Sequence, residues 1–84
     1  MITHKTMIHG KCPINGAWDY YEVTVETESF NKCEDIEAAC DRVRGKGITQ
    51  EAIAAELREL LPRDCVLLVC GRHGQNMQTM IELC

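Results

Sequence analysis

The sequence has few aromatic residues: one Trp, two Tyr and one Phe among 84 residues. Aromatic side chains bring the largest single apolar areas to a core. The core of this chain must therefore be built mostly from aliphatic side chains and thiols. Long apolar runs are also missing. The longest, Cys65 to Cys70, is far short of the roughly 20 residues a membrane helix needs. The first residues, Met1-Ile2-Thr3-His4-Lys5-Thr6-Met7-Ile8, lack the apolar stretch of about 7–15 residues that marks a secretory signal. The expected compartment is the cytoplasm, with no membrane partner. Positive charge is scarce, with 9 Lys and Arg against 13 Asp and Glu and a net charge of −4. Direct nucleic-acid binding usually carries a basic footprint and is not expected here. There is no internal repeat, linker or low-complexity segment.

What is present fits one globular domain over residues 1–84. Hydrophobic residues make up 45% and charged residues 26%, ordinary values for a folded chain. A domain of this size buries only about 60% of its unfolded surface, which allows one core and little room for a deep cavity. Six cysteines are present. In a reducing compartment they are expected as free thiols acting as small hydrophobes.

The elements follow from periodicity. Asn15-Gly16 is a two-residue hairpin signal, because both positions of such a turn take positive φ. Centring the turn there places Ile8 opposite Val23, Thr6 opposite Val25 and Gly10 opposite Tyr21, with Lys5 meeting Glu26 and His9 meeting Glu22. Tyr21, Val23, Val25 and Thr27 alternate with polar residues, as in a strand with one buried face. Asn31 with Glu34 resembles a capping box. Ile36, Ala39, Cys40 and Val43 then form one helical face, and Gly45 is a natural stop. Thr49 caps a second helix with an Ile48–Ile53 staple, and Pro62 ends it. Cys65–Cys70 reads as a central strand, Gly71–Gln75 as a turn, and Met77, Thr79, Ile81 and Leu83 as alternating positions of a last strand. The order is ββααββ. The expected fold is α+β: a two-layer sandwich of a four-stranded, mostly antiparallel sheet with two helices on one face. The last strand is a candidate edge for a homodimer.

Several groups carry candidate chemistry. His9-x2-Cys12 and Cys70-x2-His73 supply the four N and S ligands of a tetrahedral zinc site. Cys12, Cys33 and Cys84 are candidate reactive thiols, Cys12 and Cys33 each beside a lysine. Arg42, Arg44 and Lys46 lead with two glycines into the second helix, an arrangement that can hold phosphate. Arg72-His73-Gly74 after a strand resembles the signature of histidine phosphatases, in which the His is phosphorylated. No second histidine follows it, so a catalytic role does not carry over. Thr49 to Leu57 resembles the first helix of a helix-turn-helix domain, but Pro62 and a strand stand where the recognition helix belongs.

Charge is segregated along the chain. Residues 19 to 41 hold eight acidic residues and one basic residue, Lys32. Glu22, Glu26, Glu34, Asp35 and Glu37 are expected to form an acidic face that steers association with a basic protein surface. The function expected from sequence is a non-enzymatic interaction module without a cofactor. It would act as an inhibitor or adaptor of a nucleic-acid-handling complex, as small acidic phage proteins do. A zinc- or phosphate-binding module is the alternative.

Overall fold

The computed structural model of the chain describes residues 1–28, 33–73 and 76–83. The strands are β1 (Ile2–Lys11), β2 (Trp18–Thr27), β3 (Val66–His73) and β4 (Met77–Leu83). The helices are α1 (Cys33–Asp41) and α2 (Gln50–Leu60). The strands form one sheet in the order β1-β2-β3-β4, and each neighbouring pair is antiparallel. The α+β architecture expected from sequence is the one observed.

Alternation decides the two faces. Ile8, Tyr21, Val23, Val25, Leu67 and Val69 project to one side and are buried. Against them pack Ile36, Ala39 and Cys40 from α1, Ile53, Ala54 and Leu57 from α2, and Val43 from the connector. Met7, Trp18, Tyr20 and Met80 lie on the opposite, open side and are exposed. Cys40 and Cys65 occupy buried core positions as free thiols. Burial pushes the Cys40 thiol up from its ordinary pKa. No helix among the described residues is long and apolar enough to cross a membrane.

The hairpin register differs from the expected one by two residues. Ile8 pairs with Tyr21, Thr6 with Val23 and Gly10 with Asp19. Among the described residues no non-glycine residue has positive φ, while Gly16 has φ 74°. Asn15 therefore does not serve as the first centre of a two-residue turn. A four-residue loop is closed instead by Cys12 N–H donating to Ala17 O and Gly16 N–H to Cys12 O, both at 2.8 Å. The Asn15 side chain accepts from Ala17 N at 2.9 Å. A slip of two keeps every side chain on its face. The Lys5–Glu26 and His9–Glu22 pairs give way to Thr3–Glu26 and His9–Tyr20, and the Lys5 ammonium reaches Glu22 at 3.7 Å.

The Asn31 cap lies outside the described residues, as do Gly74, Gln75 and Cys84. Gly71, Arg72 and His73, expected in a turn, instead continue β3 and pair with Thr79, Gln78 and Met77. Helix α1 ends at Asp41, so Val43 is buried from the connector and not from the helix. Thr49 caps α2, its hydroxyl accepting from Ala52 N at 3.2 Å.

The connector between the helices zips along the outer edge of β1. Gly45 N–H donates to His9 O at 2.8 Å, Lys11 N–H to Lys46 O at 2.8 Å, and Ile48 N–H to Lys11 O at 3.1 Å. This contact carries the first turn of α2 to the hairpin end of the sheet. Arg44 clamps the same connector. It donates from Nη2 to Glu37 Oε1 at 3.0 Å and to Met7 O at 3.1 Å, and also reaches Asp41. Thr6 adds a 2.6 Å hydrogen bond to Glu37. The Arg44 hydrogen bond, and then that of Thr6, hold the Glu37 carboxyl below its ordinary pKa.

A depressed carboxylate pKa stabilises the fold above the unfolded value of about 4.3, and that contribution disappears as pH falls through the folded value. Glu37 is about half exposed, so the contribution stays under about 1 kcal/mol. Urea denaturation of the native chain and Glu37→Gln should differ at neutral pH and converge in acid. A gap that persists unchanged at low pH would refute this account of the clamp.

Candidate active site

The hairpin end of the sheet and the start of α2 enclose an open cleft of about 180 Å³. That is the room of about six waters, enough for one planar heterocycle but not for a large ligand. Cys12, Asp19, Tyr21, Gln50, Glu51 and His73 are the groups with chemistry in its wall, with Pro13, Ile14, Ile48 and Thr49 completing it.

Each polar group is placed by the fold. Cys12 immediately follows β1, with its backbone hydrogen-bonded through both N–H and C=O. Asp19 and Tyr21 are alternate residues of β2, so both turn toward the helices. His73 ends β3 on the same side, two residues beyond Gly71. Gln50 opens α2 and is 3% exposed.

Asp19, Tyr21, Gln50 and His73 contact one another. His73 Nε2 lies 2.7 Å from Gln50 Oε1, and His73 Nδ1 lies 3.8 Å from Asp19 Oδ2. The Tyr21 hydroxyl donates to Asp19 Oδ2 at 3.5 Å. The Tyr21 ring meets the His73 ring edge-on at 6.1 Å. Burial, and then the Asp19 charge, push the Tyr21 phenol up to about 12. Tyr21 is therefore a neutral donor throughout the physiological range. The cleft combines a thiol, a carboxylate and an imidazole beside a helix N-terminus. Such a set can add a sulfur nucleophile to an electrophilic carbon and move the accompanying proton.

The other described thiols have different surroundings. Cys33 Sγ lies 3.7 Å from His4 Nδ1, in a smaller cleft of about 100 Å³. Cys65 Sγ is bound to Pro62 O at 2.9 Å and to Arg58 at 3.2 Å. Cys70 Sγ accepts from Gln78 Nε2 at 3.1 Å on the open face. A larger cleft between α1 and the end of α2, about 360 Å³, holds no thiol or histidine among the described residues.

The groups singled out from sequence are redistributed. His9 and Cys70 face the open side of the sheet, while His73 faces the helices. His9, Cys12, Cys70 and His73 therefore do not converge, and the described residues contain no cluster of three or more potential metal ligands. Arg44 is engaged by Glu37 and Asp41. Arg42 and Lys46 share their cleft with Glu56 and Glu59, which disfavours an anion there. Glu22 and Glu26 project from the open face, paired with Met7 and Thr3. Glu34, Asp35 and Glu37 belong to α1, on the other side of the sheet. The five carboxylates are not brought onto one surface.

Asp19, Gln50 and Glu51 were not singled out as site residues by their sequence context. Cys12 and His73 stand out in sequence as two of the four zinc-site residues, and separately as a reactive thiol and a phosphatase-like histidine. Nothing in the spacing shows that residues 12, 19, 50 and 73 meet. That follows only from the register and from the connector that docks α2.

No protein-family model and no curated protein sequence matches the chain. A solved structure, the archaeosine synthase QueF-Like in its apo form, has the same fold. The TM-score is 0.75 and the identity 23%, over 96% of this chain and 90% of that one. The chain thus shares its whole architecture with an enzyme.

Proposed function

We propose that this chain is an enzyme acting on a nucleoside or its base, with Cys12 as a covalent nucleophile. The observation that carries the reading is the shared cleft of Cys12 with the Asp19–His73 pair. The neighbouring structure supports the substrate class, because archaeosine is a modified nucleoside and its synthase has this fold. This reading departs from the non-enzymatic module expected from the sequence.

In the proposed step the Cys12 sulfur adds to an unsaturated carbon of the base. A carbon–sulfur bond forms, the carbon–heteroatom π bond opens, and its electron pair moves to the heteroatom. The thiol proton passes to the Asp19–His73 pair, which returns a proton to that heteroatom. Tyr21 holds Asp19 from behind through its hydroxyl.

The test is ligand protection. The chain is alkylated with iodoacetamide, with and without purine and pyrimidine bases and their nucleosides, and each thiol is quantified by peptide mapping. At least one base or nucleoside should slow alkylation of Cys12 about tenfold or more while leaving exposed Cys33 unaffected. If none protects Cys12, or if Cys33 is protected equally, the reading fails.

A further inference from the structure

We infer that Gln50 is a positioning residue that fixes the tautomer of His73, leaving Nδ1 as the ring atom that takes up and releases the proton. The use made of that proton rests on the Cys12 reading; the tautomer itself does not.

The argument begins at the Gln50 amide. Its Nε2 lies 3.1 Å from Val69 O and 2.9 Å from Thr79 O. Both partners are backbone carbonyls, which only accept. An amide has two N–H donors on nitrogen and none on oxygen. Turning the amide over would set its oxygen against two carbonyl oxygens in a buried position, where unmade hydrogen bonds cost most. The orientation is therefore forced, and Gln50 Oε1 must point at His73.

Gln50 Oε1 is an acceptor, so His73 Nε2, 2.7 Å away, must carry hydrogen. In the neutral ring Nδ1 then has only a lone pair. That lone pair faces Asp19 Oδ2 at 3.8 Å. Two acceptors face each other across this gap, and a proton arriving on Nδ1 satisfies both. The imidazolium so formed has the Asp19 carboxylate on one side and a neutral amide on the other. Its charge is thereby matched on the side that faces Asp19.

The support is rigid. Gln50 is buried in the first turn of α2 and tied across β3 and β4. Gly71 sits against it: a Cβ there would lie 3.1 Å from Gln50 Oε1. His73 thus acquires its orientation from a second residue, as imidazoles that shuttle protons generally do.

The experiment is a long-range proton–nitrogen correlation spectrum of the full chain with ¹⁵N-histidine, with His73 assigned by its loss in His73→Gln. Under alkaline conditions, with the ring neutral, the His73 signal should show a single tautomer protonated at Nε2. A ring protonated at Nδ1, or an even mixture, would overturn the inference in the native chain, without any variant. Gln50→Leu, which removes the acceptor facing Nε2, should convert the single form to a mixture. A purely structural Gln50 would lower stability in the leucine variant with the tautomer unchanged, and that result also overturns the inference. Cys12→Ser should leave the spectrum of His73 as it is. Absence of ligand protection at Cys12 with the Nε2–H form intact would therefore defeat the nucleophile reading alone.

Discussion

Gly71→Ala is expected to weaken the fold and disorganise the cleft in one step. A Cβ at position 71 would lie 2.4 Å from Tyr21 Cδ1 and 2.6 Å from Tyr21 Cε1. Contacts that close cannot persist, and the Tyr21 ring, 2% exposed, has core residues around it. Forcing one extra carbon into a packed core costs about 1–3 kcal/mol. For a domain of this length, each kcal/mol lowers the melting temperature by roughly 4–8 °C. The cleft records the same shift, because the Tyr21 ring packs edge-on against His73 and its hydroxyl holds Asp19. In the native chain the phenol pKa is raised from 10.0 to about 12. A raised folded pKa stabilises the protein fully below pH 10 and ceases to do so as pH rises through 12. In Gly71→Ala the ring is displaced toward water, so its ultraviolet titration should move back toward 10.0. A variant with the native urea midpoint and the native phenol titration would show that the ring has room to move.

Much of the fold is legible in the sequence because its signals are local. The alternation from Tyr21 to Thr27, the Thr49 cap, the Ile48–Ile53 staple and the stop at Pro62 each act within one element. Ile48 packs against the core and Ile53 is buried within it, as the staple requires. The hairpin register is less legible. Pro13, Asn15 and Gly16 all mark a turn, but several loop lengths use the same residues. The choice between them falls to how Cys12 and Ala17 close the loop. Because side chains repeat every two residues along a strand, the two-residue difference left the buried face unchanged.

The site is legible only in fragments. Cys12 and His73 draw notice as nucleophile and imidazole, but their partners come from β2 and α2. The pairing of Gly10 with Asp19 and the docking of Ile48 on Lys11 bring those partners in. Neither contact leaves a mark in the residues that form it. The acidic run shows the opposite case, a pattern plain in sequence that space divides. Strand alternation turns Glu22 and Glu26 away from the helices, and α1 carries Glu34, Asp35 and Glu37 to the other layer. A charge run spanning a strand and a helix is therefore not by itself a patch.

Cys12→Ser should remove covalent chemistry and preserve binding. A thiol is partly ionised near neutrality and intrinsically nucleophilic, whereas a hydroxyl needs a strongly activating base. Serine is slightly smaller than cysteine and can keep the backbone hydrogen bonds that close the hairpin loop. The walls contributed by Asp19, Tyr21, Gln50 and Glu51 remain. Covalent adduct formation with whichever base or nucleoside protects Cys12 should fall at least about a thousandfold. The same ligand, at about a hundred times its dissociation constant, should still stabilise Cys12→Ser by about 2.7 kcal/mol, as it does the native chain. Asp19→Ala should show the complementary pattern and lose most of that stabilisation, since it removes the carboxylate that lines the cleft and faces His73. Thermal melts with and without ligand measure both quantities, and peptide mapping identifies the modified thiol. Undiminished adduct formation in Cys12→Ser, or an adduct found at Cys33 in the native chain, would place the chemistry elsewhere. Loss of ligand stabilisation in Cys12→Ser alone would make the thiol a binding contact and not the attacking atom.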